Sequence, residues 1–598
     1  MSDFIYSNIE KSKGELTRYM QSIYHSDAPQ VIEYHGEWGS LAVSHNLYNG
    51  FQPIENKKHI FVVIGGPVLY FTDNRFLTGN DPVAGTKAIY DRFLKDNVQW
   101  DEDLSGPFVI LIIDKESRQI ICVTDLMMFI PVYKYEKDSH IMMSTHVNAL
   151  AKTANQLDEI DPVAMTDFVL NGVVTYPHTV YKNLFQIHPA SIKYFNYYDH
   201  KIEKSKINIY WLPEEKNKFK NINDAAHELR DGLQNYIRRV TEGMNEVAQF
   251  ISGGEDTRVI AGLLPSHLKR DAFIFLDSMN REGMIANKVS NSYGLNFNVK
   301  YRSETHYIDI LPEASDLIGS TNQYLHVHSL GLHKICELDK YLAVFGGYLS
   351  DSLLKAVYSH KGRGIYNKLP FLPEFYINGE THSNRIESNF VKENILNEIY
   401  IRRIKHVDRI RSFRNNSVHE WFALWPASMR LAIPYFYSKR RLFRSYEPFL
   451  SNTVVKISAS VPTSWKLNRR LFHRFAKPLL KPSKNIPHTK GFFPYYPWYI
   501  NIIPYSLTWS YRKLLTKAGL VKVNHGSWGD WQRVLKSKSW EKIVDQYSSN
   551  INIIDDCFNK PIKIMLDGKE LMLTQKLNIL QVKYYLNSNN NEEIKTGR

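Results

Sequence analysis

Cysteine is scarce in this chain: Cys122, Cys336 and Cys557 are the only three among 598 residues, far apart and without a Cys-x-x-Cys pair. That excludes a disulfide scaffold and a zinc ribbon, and it suits a reducing compartment. Long hydrophobic runs are also missing. The best apolar stretches, His59 to Phe71 and Phe108 to Ile113, have strand length and fall well short of the roughly 20 residues that cross a bilayer. The first thirty residues carry acidic and polar side chains where a secretory leader needs an unbroken apolar stretch. These absences lead us to expect a cytoplasmic protein with no membrane partner. A Walker loop is absent too. Gly79 to Lys87 has Thr86 before Lys87, Pro82 inside the turn and glycines one residue too far apart, and it reads as a surface loop.

What is present describes a well-packed globular chain, 43% apolar and 13% aromatic, too long for one core. A formal charge of +14 attracts anionic partners without naming one. The densest basic segment, Arg402 to Arg414, interleaves its cations with Ile404, Val407 and Ile410 and reads as an amphipathic helix with a solvated basic face. No nucleic-acid module is recognisable, so nucleic acid is not the expected partner; a homo-oligomer is compatible with the sequence.

Residues 1 to about 205 read as strands. Val31 to Tyr34, Leu41 to Val43, His59 to Ile64, Val68 to Phe71, Phe108 to Ile113, Ile120 to Thr124 and Val132 to Tyr135 are β-rich runs cut by Gly, Pro, Asn and Asp. The charged run His200 to Lys206 is the expected domain boundary, and Asn223 to Arg239 the amphipathic helix that opens a second domain, 206–586, with Asn223 as N-cap. From Glu246 strands and helices alternate: a strand at Asp271 to Leu276, a helix at Glu282 to Tyr293 capped by Gly294, a strand at Phe297 to Tyr301. This alternation predicts a doubly wound parallel sheet whose ligands bind at the carboxyl ends of its strands. Trp528, Trp531 and Trp540 read as packing anchors, and 587–598 as a disordered polar tail.

The chemistry is expected at Val247 to Leu264, which reads as strand, tight loop and helix around Ser252-Gly253-Gly254-Glu255-Asp256-Thr257. Two glycines let backbone approach a ligand, and the N–H groups of the loop and first helical turn suit phosphate. Asp256 in a phosphate cradle would be repulsive unless a divalent cation joins the two, which points to a Mg-pyrophosphate site. The string resembles the Ser-Gly-Gly-x-Asp-Ser loop of the asparagine synthetase family and related ATP-pyrophosphatases, with Thr257 keeping the last hydroxyl.

The resemblance extends, in order, over about residues 30 to 500. Leu104 to Asp114 and Ile121 to Tyr135 are similar to the family's glutaminase domain, which implies an N-terminal αββα fold of the N-terminal nucleophile hydrolases ahead of the ATP-pyrophosphatase (HUP-like) α/β domain. That glutaminase needs an N-terminal Cys; Ser2-Asp-Phe-Ile-Tyr does not match the family's Cys-Gly start, so glutaminase activity is not expected. Asp161 to Ser191 resembles the segment linking the family's two domains, with Pro189-Ala190 where the family has Pro-Gly. Tyr341 to Lys355 resembles the second family signature, Gly-Glu-Gly-Ala/Ser-Asp-Glu, with Gly347 and Asp351 in register. It implies Asp351 as the second Mg ligand opposite Asp256. Tyr348 stands where the family has Glu and Ser352 where it has a further acid; β-lactam synthetases carry a Tyr there, which makes Tyr348 a candidate for deprotonating an amine. Lys490, in Ile486 to Phe493, falls in register with the lysine that contacts the phosphates. The end of the second strand, Phe275 to Ser278, is the implied adenine position. His326, His328 and His333 invite a zinc reading, but only Cys336 and Glu337 lie nearby in sequence, so one or two of them are expected to line the cleft or pack.

Together these readings imply a ligase that uses ATP and Mg to adenylate a small-molecule or peptide carboxylate and joins it to an amine not drawn from glutamine. The logic is that of β-lactam synthetases and lasso-peptide cyclases. The rival reading is a pseudoenzyme that keeps the fold and binds nucleotide without turnover.

Overall fold

The computed structural model of the chain describes residues 2–363, 369–377, 388–520, 526–548 and 552–596. In its N-terminal region a pair of six-stranded sheets lie face to face. One runs in space Leu184–Gln186, Tyr133–Lys137, His140–Ser144, Phe4–Ser7, Gly39–Ser44, Val31–Gly36. The other runs Lys201–Ile209, Ser191–Tyr198, Gln119–Thr124, Phe108–Asp114, His59–Gly65, Ile54–Glu55. Strand alternation builds the layers. Phe4, Tyr6, Leu41 and Val43 point into the core shared with the second sheet, while Ile5 and Ala42 pack outward against Leu16 and Met20 of the helix Glu15–Gln21. The helix Ala84–Phe93 covers the second sheet. The expected order of helix, sheet, sheet, helix is therefore present.

Two details of the expected chain path change here. The charged run at 200–206 is not a linker: Lys201–Ile209 pairs antiparallel with Ser191–Tyr198, from Tyr198 opposite Lys201 to Ser191 opposite Ile209. It is an edge strand with exposed charged side chains, which edge strands favour because charge discourages further pairing. The strand thus runs through the expected boundary at 205 and on to Ile209. The Gly lost at Pro189-Ala190 also has a counterpart, since Ala190 takes up the left-handed conformation at φ +47°. Of the Walker-like stretch, only Gly79 to Val83 is loop; Ala84 begins the helix, burying Thr86.

The entering helix is Ile222–Thr241, and its cap is Asn221 rather than Asn223. Asn221 Oδ1 accepts from the N–H groups of Asn223 (2.8 Å) and Asp224 (3.2 Å). The C-terminal region then lays down β1 (Glu246–Phe250), α1 (Glu255–Leu263), β2 (Lys269–Leu276), α2 (Arg281–Tyr293), β3 (Asn296–Tyr301), β4 (Val344–Phe345) and α3 (Ser350–Leu354). After these come α4 (Glu393–Arg411), α5 (Pro434–Leu442), β5 (Ser445–Tyr446) and α6 (Ile502–Lys517). Gly294 ends α2 at φ +67°, as its position after Tyr293 predicts. The five strands form one parallel sheet in the order β3-β2-β1-β4-β5, so the order reverses between β1 and β4. Ala272, Ile274 and Leu276 of β2 pack with Ile285, Ala286 and Val289 of α2 on one face, and Phe273 and Phe275 pack with Val344 and Phe443 on the other.

The two regions share a core and a buried ionic joint. The Asp3 carboxylate, at the start of the first sheet's Phe4–Ser7 strand, accepts from Arg440 (2.8 Å) and Arg441 (2.7 and 2.8 Å) of α5. α4 carries some of the basic segment inward. Arg402 bonds Asp161 (2.6 Å), Arg403 lies 3.5 Å from Asp167, and Arg414, beyond the helix end, is buried against backbone carbonyls of Ala459 and Pro213. The solvated basic face expected there is confined to residues such as Lys405 and Arg409. The last helix, Leu573–Thr596, continues through residues 587–596, where a disordered tail was expected.

Candidate functional site

β1 and β4 are neighbours on either side of the order reversal, and each runs into a glycine turn followed by a helix. In the first turn Ser252 N and Oγ each lie 3.2 Å from Thr257 Oγ1, so the two hydroxyl residues close the loop on itself. Gly254 N donates to Ser252 Oγ at 3.1 Å, and Gly253 N donates to Glu282 Oε1 of α2 at 2.7 Å. Both glycine amides are thus held by protein oxygens, one of them a carboxylate standing where an anion was expected. Gly254 is the N-cap of α1, whose first-turn N–H groups have no partner within the helix.

The second turn is Gly346-Gly347-Tyr348-Leu349. A Cβ on Gly347 would come within 3.0 Å of Asp256 Cβ, so the absence of a side chain is what lets the two turns touch. Glu447, buried just after β5, accepts from Tyr348 N at 2.9 Å, sits directly under Gly346, and is paired with buried Lys439. Leu349 is held at φ +66°, a strained conformation for leucine that delivers Asp351 into the first turn of α3. The Tyr348 hydroxyl is buried and has no hydrogen-bond partner among the described residues; burial raises the phenol far above its ordinary value.

Three carboxylates meet where the turns touch. Lys355 Nζ lies 2.5 Å from Asp256 Oδ1 and 2.8 Å from Glu255 Oε1, and Ser350 Oγ donates to Asp256 at 2.9 Å. Arg469 pairs with the other oxygen of Glu255. Burial works to raise Glu255, but Arg469 and Lys355 outweigh it and bring it down to about 2. For Asp256 burial wins: with Glu255 and Asp351 adding repulsion against Lys355, its carboxyl is raised. Asp351 is half exposed, accepts from Ser352 Oγ (3.1 Å) and lies 3.9 Å from Arg430.

Lys490 reaches this region through a third segment. Fully buried Arg258 of α1 donates to the carbonyls of Gly253 (3.0 Å), Ile486 (2.7 Å) and Pro487 (2.8 Å), tying the first turn to the stretch that leads into Lys490. His488 then accepts from Lys490 N (2.9 Å) and stacks on Phe492 at 4.4 Å, which forms the turn that leaves Lys490 exposed.

Two clefts, of about 360 and 350 Å³, meet at this junction, and Gly254, Asp256 and Asp351 line both. The first adds Ser252, Thr257, Gly347 and Tyr348 to aromatic walls that include Phe275 and Trp528. The second holds Lys355, Arg469 and Lys490. The residues singled out from the sequence therefore converge, except that Gly253 lines neither cleft. His326 and His328 line the aromatic cleft, whereas His333 bonds the Ser329 carbonyl (3.2 Å) elsewhere. Among the described residues no group of three or more His, Cys, Asp and Glu is placed to hold a metal. Trp528 is a partly exposed cleft wall beside His328 rather than a buried anchor. Asp256 and Asp351 are oxygen donors of the type a hard divalent cation takes and line the same two clefts, so they fit such an ion if its other ligands come from water and phosphate. Arg258, Lys355, Glu447 and Arg469 were missed by sequence reading, since each acts through partners distant in sequence.

A glutamine amidotransferase domain matches residues 40–211. The chain is 23% identical over 217 residues to a protein of Methanocaldococcus jannaschii assigned by its name as glutamine-hydrolyzing asparagine synthetase 2, covering 35% of this chain and 41% of that one. It is 21% identical over 185 residues to glutamine-hydrolyzing asparagine synthetase 3 of Bacillus subtilis, covering 30% and 29%. The matches thus span less than half the length of either relative. Among solved structures, the allosteric regulatory enzyme of purine biosynthesis overlaps 50% of this chain and 80% of its own at 10% identity and a TM-score of 0.22. The glutamine phosphoribosylpyrophosphate amidotransferase of B. subtilis overlaps 50% and 65% at 9% and 0.20, and overlaps this weak carry no weight for the fold. The chain is thus similar to a glutamine amidotransferase domain over residues 40–211 and to two proteins named as glutamine-hydrolyzing asparagine synthetases over about a third of its own length.

Proposed function

We propose that the chain is an ATP-dependent ligase that adenylates a substrate carboxylate, releases pyrophosphate and forms an amide with an amine supplied by a source other than glutamine. The supporting observation is the convergence of Asp256, Asp351 and Lys490, from three separate segments, on one junction at the carboxyl ends of adjacent parallel strands. In this reading the first-turn amides of α1 and Lys490 receive the pyrophosphate, and Asp256 and Asp351 would hold a Mg ion that supplies positive charge to it. A substrate carboxylate oxygen forms a bond to the α-phosphorus as the bond to pyrophosphate breaks. The amine nitrogen then bonds the acyl carbon, AMP leaves with the bonding pair, and the amine gives up one proton to solvent water. Tyr348, kept neutral by burial, meets the amine as a hydroxyl that accepts a hydrogen bond rather than as a phenolate.

Two observations support the absence of a glutaminase. Ser2 is buried and its Oγ is occupied as acceptor for Gly65 N (3.0 Å). All three cysteines are buried, with Cys122 pushed up to about 12 by burial. A second reading, nucleotide binding without turnover, is favoured by Lys355, a built-in cation already seated on Asp256. Chromatography of the nucleotide products with a panel of carboxylates and amines separates the two. The ligase makes AMP and pyrophosphate, and Asp256→Asn stops it. ATP bound but unchanged supports the second reading, and ADP with phosphate refutes the first.

A further inference from the structure

α6 is unlike the other long helices of this chain in burying none of its residues fully. Ile503, Leu507, Tyr511 and Leu514 recur at helical spacing along one face and are 63 to 68% exposed. Tyr499 and Ile500 before the helix and Leu520 after it prolong the exposed apolar surface. The opposite face fixes which way this stripe points. Tyr505 and Trp509 pack on Phe371 with ring centroids 6.4 and 5.7 Å away, and Arg512 donates to the Thr489 carbonyl at 2.6 Å. A contiguous apolar stripe left in water marks an interaction site.

Charge says what covers it. Residues 448–529 contain thirteen Lys and Arg and no Asp or Glu, so this stretch carries +13 of the chain's formal +14. On α6 itself Lys513 and Lys517 are exposed and flank the stripe, with no acid anywhere along the helix. Apolar and aromatic side chains in one plane, lysines at its border and a field of one sign are the features of a helix that lies in the headgroup layer of an anionic bilayer. A nucleic acid would use the cations and leave the leucines in water. Crossing is not implied, since no helix among the described residues is long and apolar enough to span.

We propose that α6 docks flat on an anionic lipid surface. Its inner face reaches the candidate site: Asn501 and Tyr505 line the cleft that holds Lys490, and Thr508 lies against Gly491, one residue on. Docking therefore sets that cleft beside the lipid headgroups. The expectation of no membrane partner came from the lack of long apolar runs, which reports on crossing and is blind to a stripe spaced every third or fourth residue.

The test is flotation of the full chain with phosphatidylcholine vesicles, with and without about a third phosphatidylglycerol. Binding is expected to the anionic vesicles only, weakened by about 0.5 M salt. It should fall at least about ten-fold in Leu507→Glu/Leu514→Glu, whose circular dichroism is expected to be unchanged because both side chains are exposed, and more modestly in Lys513→Gln/Lys517→Gln. Failure of the wild type to float with anionic vesicles, or equal flotation of either double variant, overturns the proposal. So does sedimentation of the wild type as a dimer that Leu507→Glu/Leu514→Glu converts to a monomer, which assigns the face to a second copy.

Discussion

Arg258→Leu is the sharpest perturbation of the junction, because one side chain holds two segments of the candidate site together without lining either cleft. Its guanidinium makes three hydrogen bonds to carbonyls, and burial lowers it only to about 10, so it is a cation near neutral pH. Hydrogen bonds to a charged group contribute about 1.5–3 kcal/mol each, which sets a gross loss of about 4–9 kcal/mol. Relief of the guanidinium's own desolvation returns several kcal/mol. The carbonyls of Ile486 and Pro487 also regain water once their segment lifts. A net cost of about 2 kcal/mol then falls on the docking of this segment, equivalent to roughly a 30-fold shift toward the undocked state. Hydrogen exchange of peptides covering 484–493 should quicken by about that factor where docking now protects them. Adenylation of a carboxylate should fall with it, because Lys490 reaches its cleft only when docked. Lys490→Ala is the control, losing activity with exchange unchanged. Unaltered exchange at 484–493 in Arg258→Leu would refute the clamp, and altered exchange with full activity would refute the role given to Lys490.

Asp3→Asn should cost about 3–5 kcal/mol in unfolding, because it leaves two buried guanidiniums facing a neutral amide. Burial alone would raise the Asp3 carboxyl, but Arg440 and Arg441 outweigh it and hold it well below the usual range. Its contribution is accordingly complete above an unfolded value near 4 and is lost as pH falls below that. Melting of the wild type should therefore drop across this acid window, with a shallower slope in Asp3→Asn, and parallel slopes would refute the assignment. Tyr348→Phe removes a hydroxyl with no partner among the described residues, so stability should stay within about 1 kcal/mol. Turnover should fall about 100-fold if that hydroxyl meets the amine. Full turnover in the variant would take it out of the chemistry. An aromatic disulfide reagent should leave Cys122, Cys336 and Cys557 unmodified in the native chain and label all three after denaturation, since burial raises each thiol.

The legible elements of this chain were those written in local pattern. The strand before Ser252, the turn and α1 follow from an apolar run, two glycines and helical spacing, and Gly294 as a cap follows from its position. Asp351 and Lys490 were found by resemblance rather than by physics, because a short strand such as Val344–Phe345 carries too little pattern to identify itself. The errors have physical causes. Lys201–Ile209 looks like a linker because an edge strand can be charged on both faces. Asn221 and Asn223 are equally good caps by composition, and only the extended backbone of Asn221 decides between them. Arg258 looked like any helical arginine. Two of its three partners lie 228 and 229 residues away, a separation at which no local signal exists.

Charge balance in the second cleft gives the last step. Its carboxylates are Glu255, Asp256, Asp351 and Glu374, and its cations Lys355, Lys361, Arg363, Arg469 and Lys490. Lys355 serves Glu255 and Asp256, Arg469 serves Glu255, and Lys361 and Arg363 both serve Glu374. Among the described residues, Lys490 is the cation of this cleft with no carboxylate in ion-pair reach. A cation neutralised by its neighbours does little for a developing anion, whereas one held unneutralised at a cleft edge is placed to stabilise charge that appears only during reaction. In the proposed adenylation that charge arises on the departing pyrophosphate. Shifting this balance should therefore move activity more than affinity. Lys490→Gln is expected to lower kcat with little change in the KM for ATP, whereas Lys355→Gln, which unpairs Asp256 and Glu255, should disturb the junction and raise KM as well. Equal effects of the two variants on both constants would show that Lys490 is one more structural cation and remove it from the reaction.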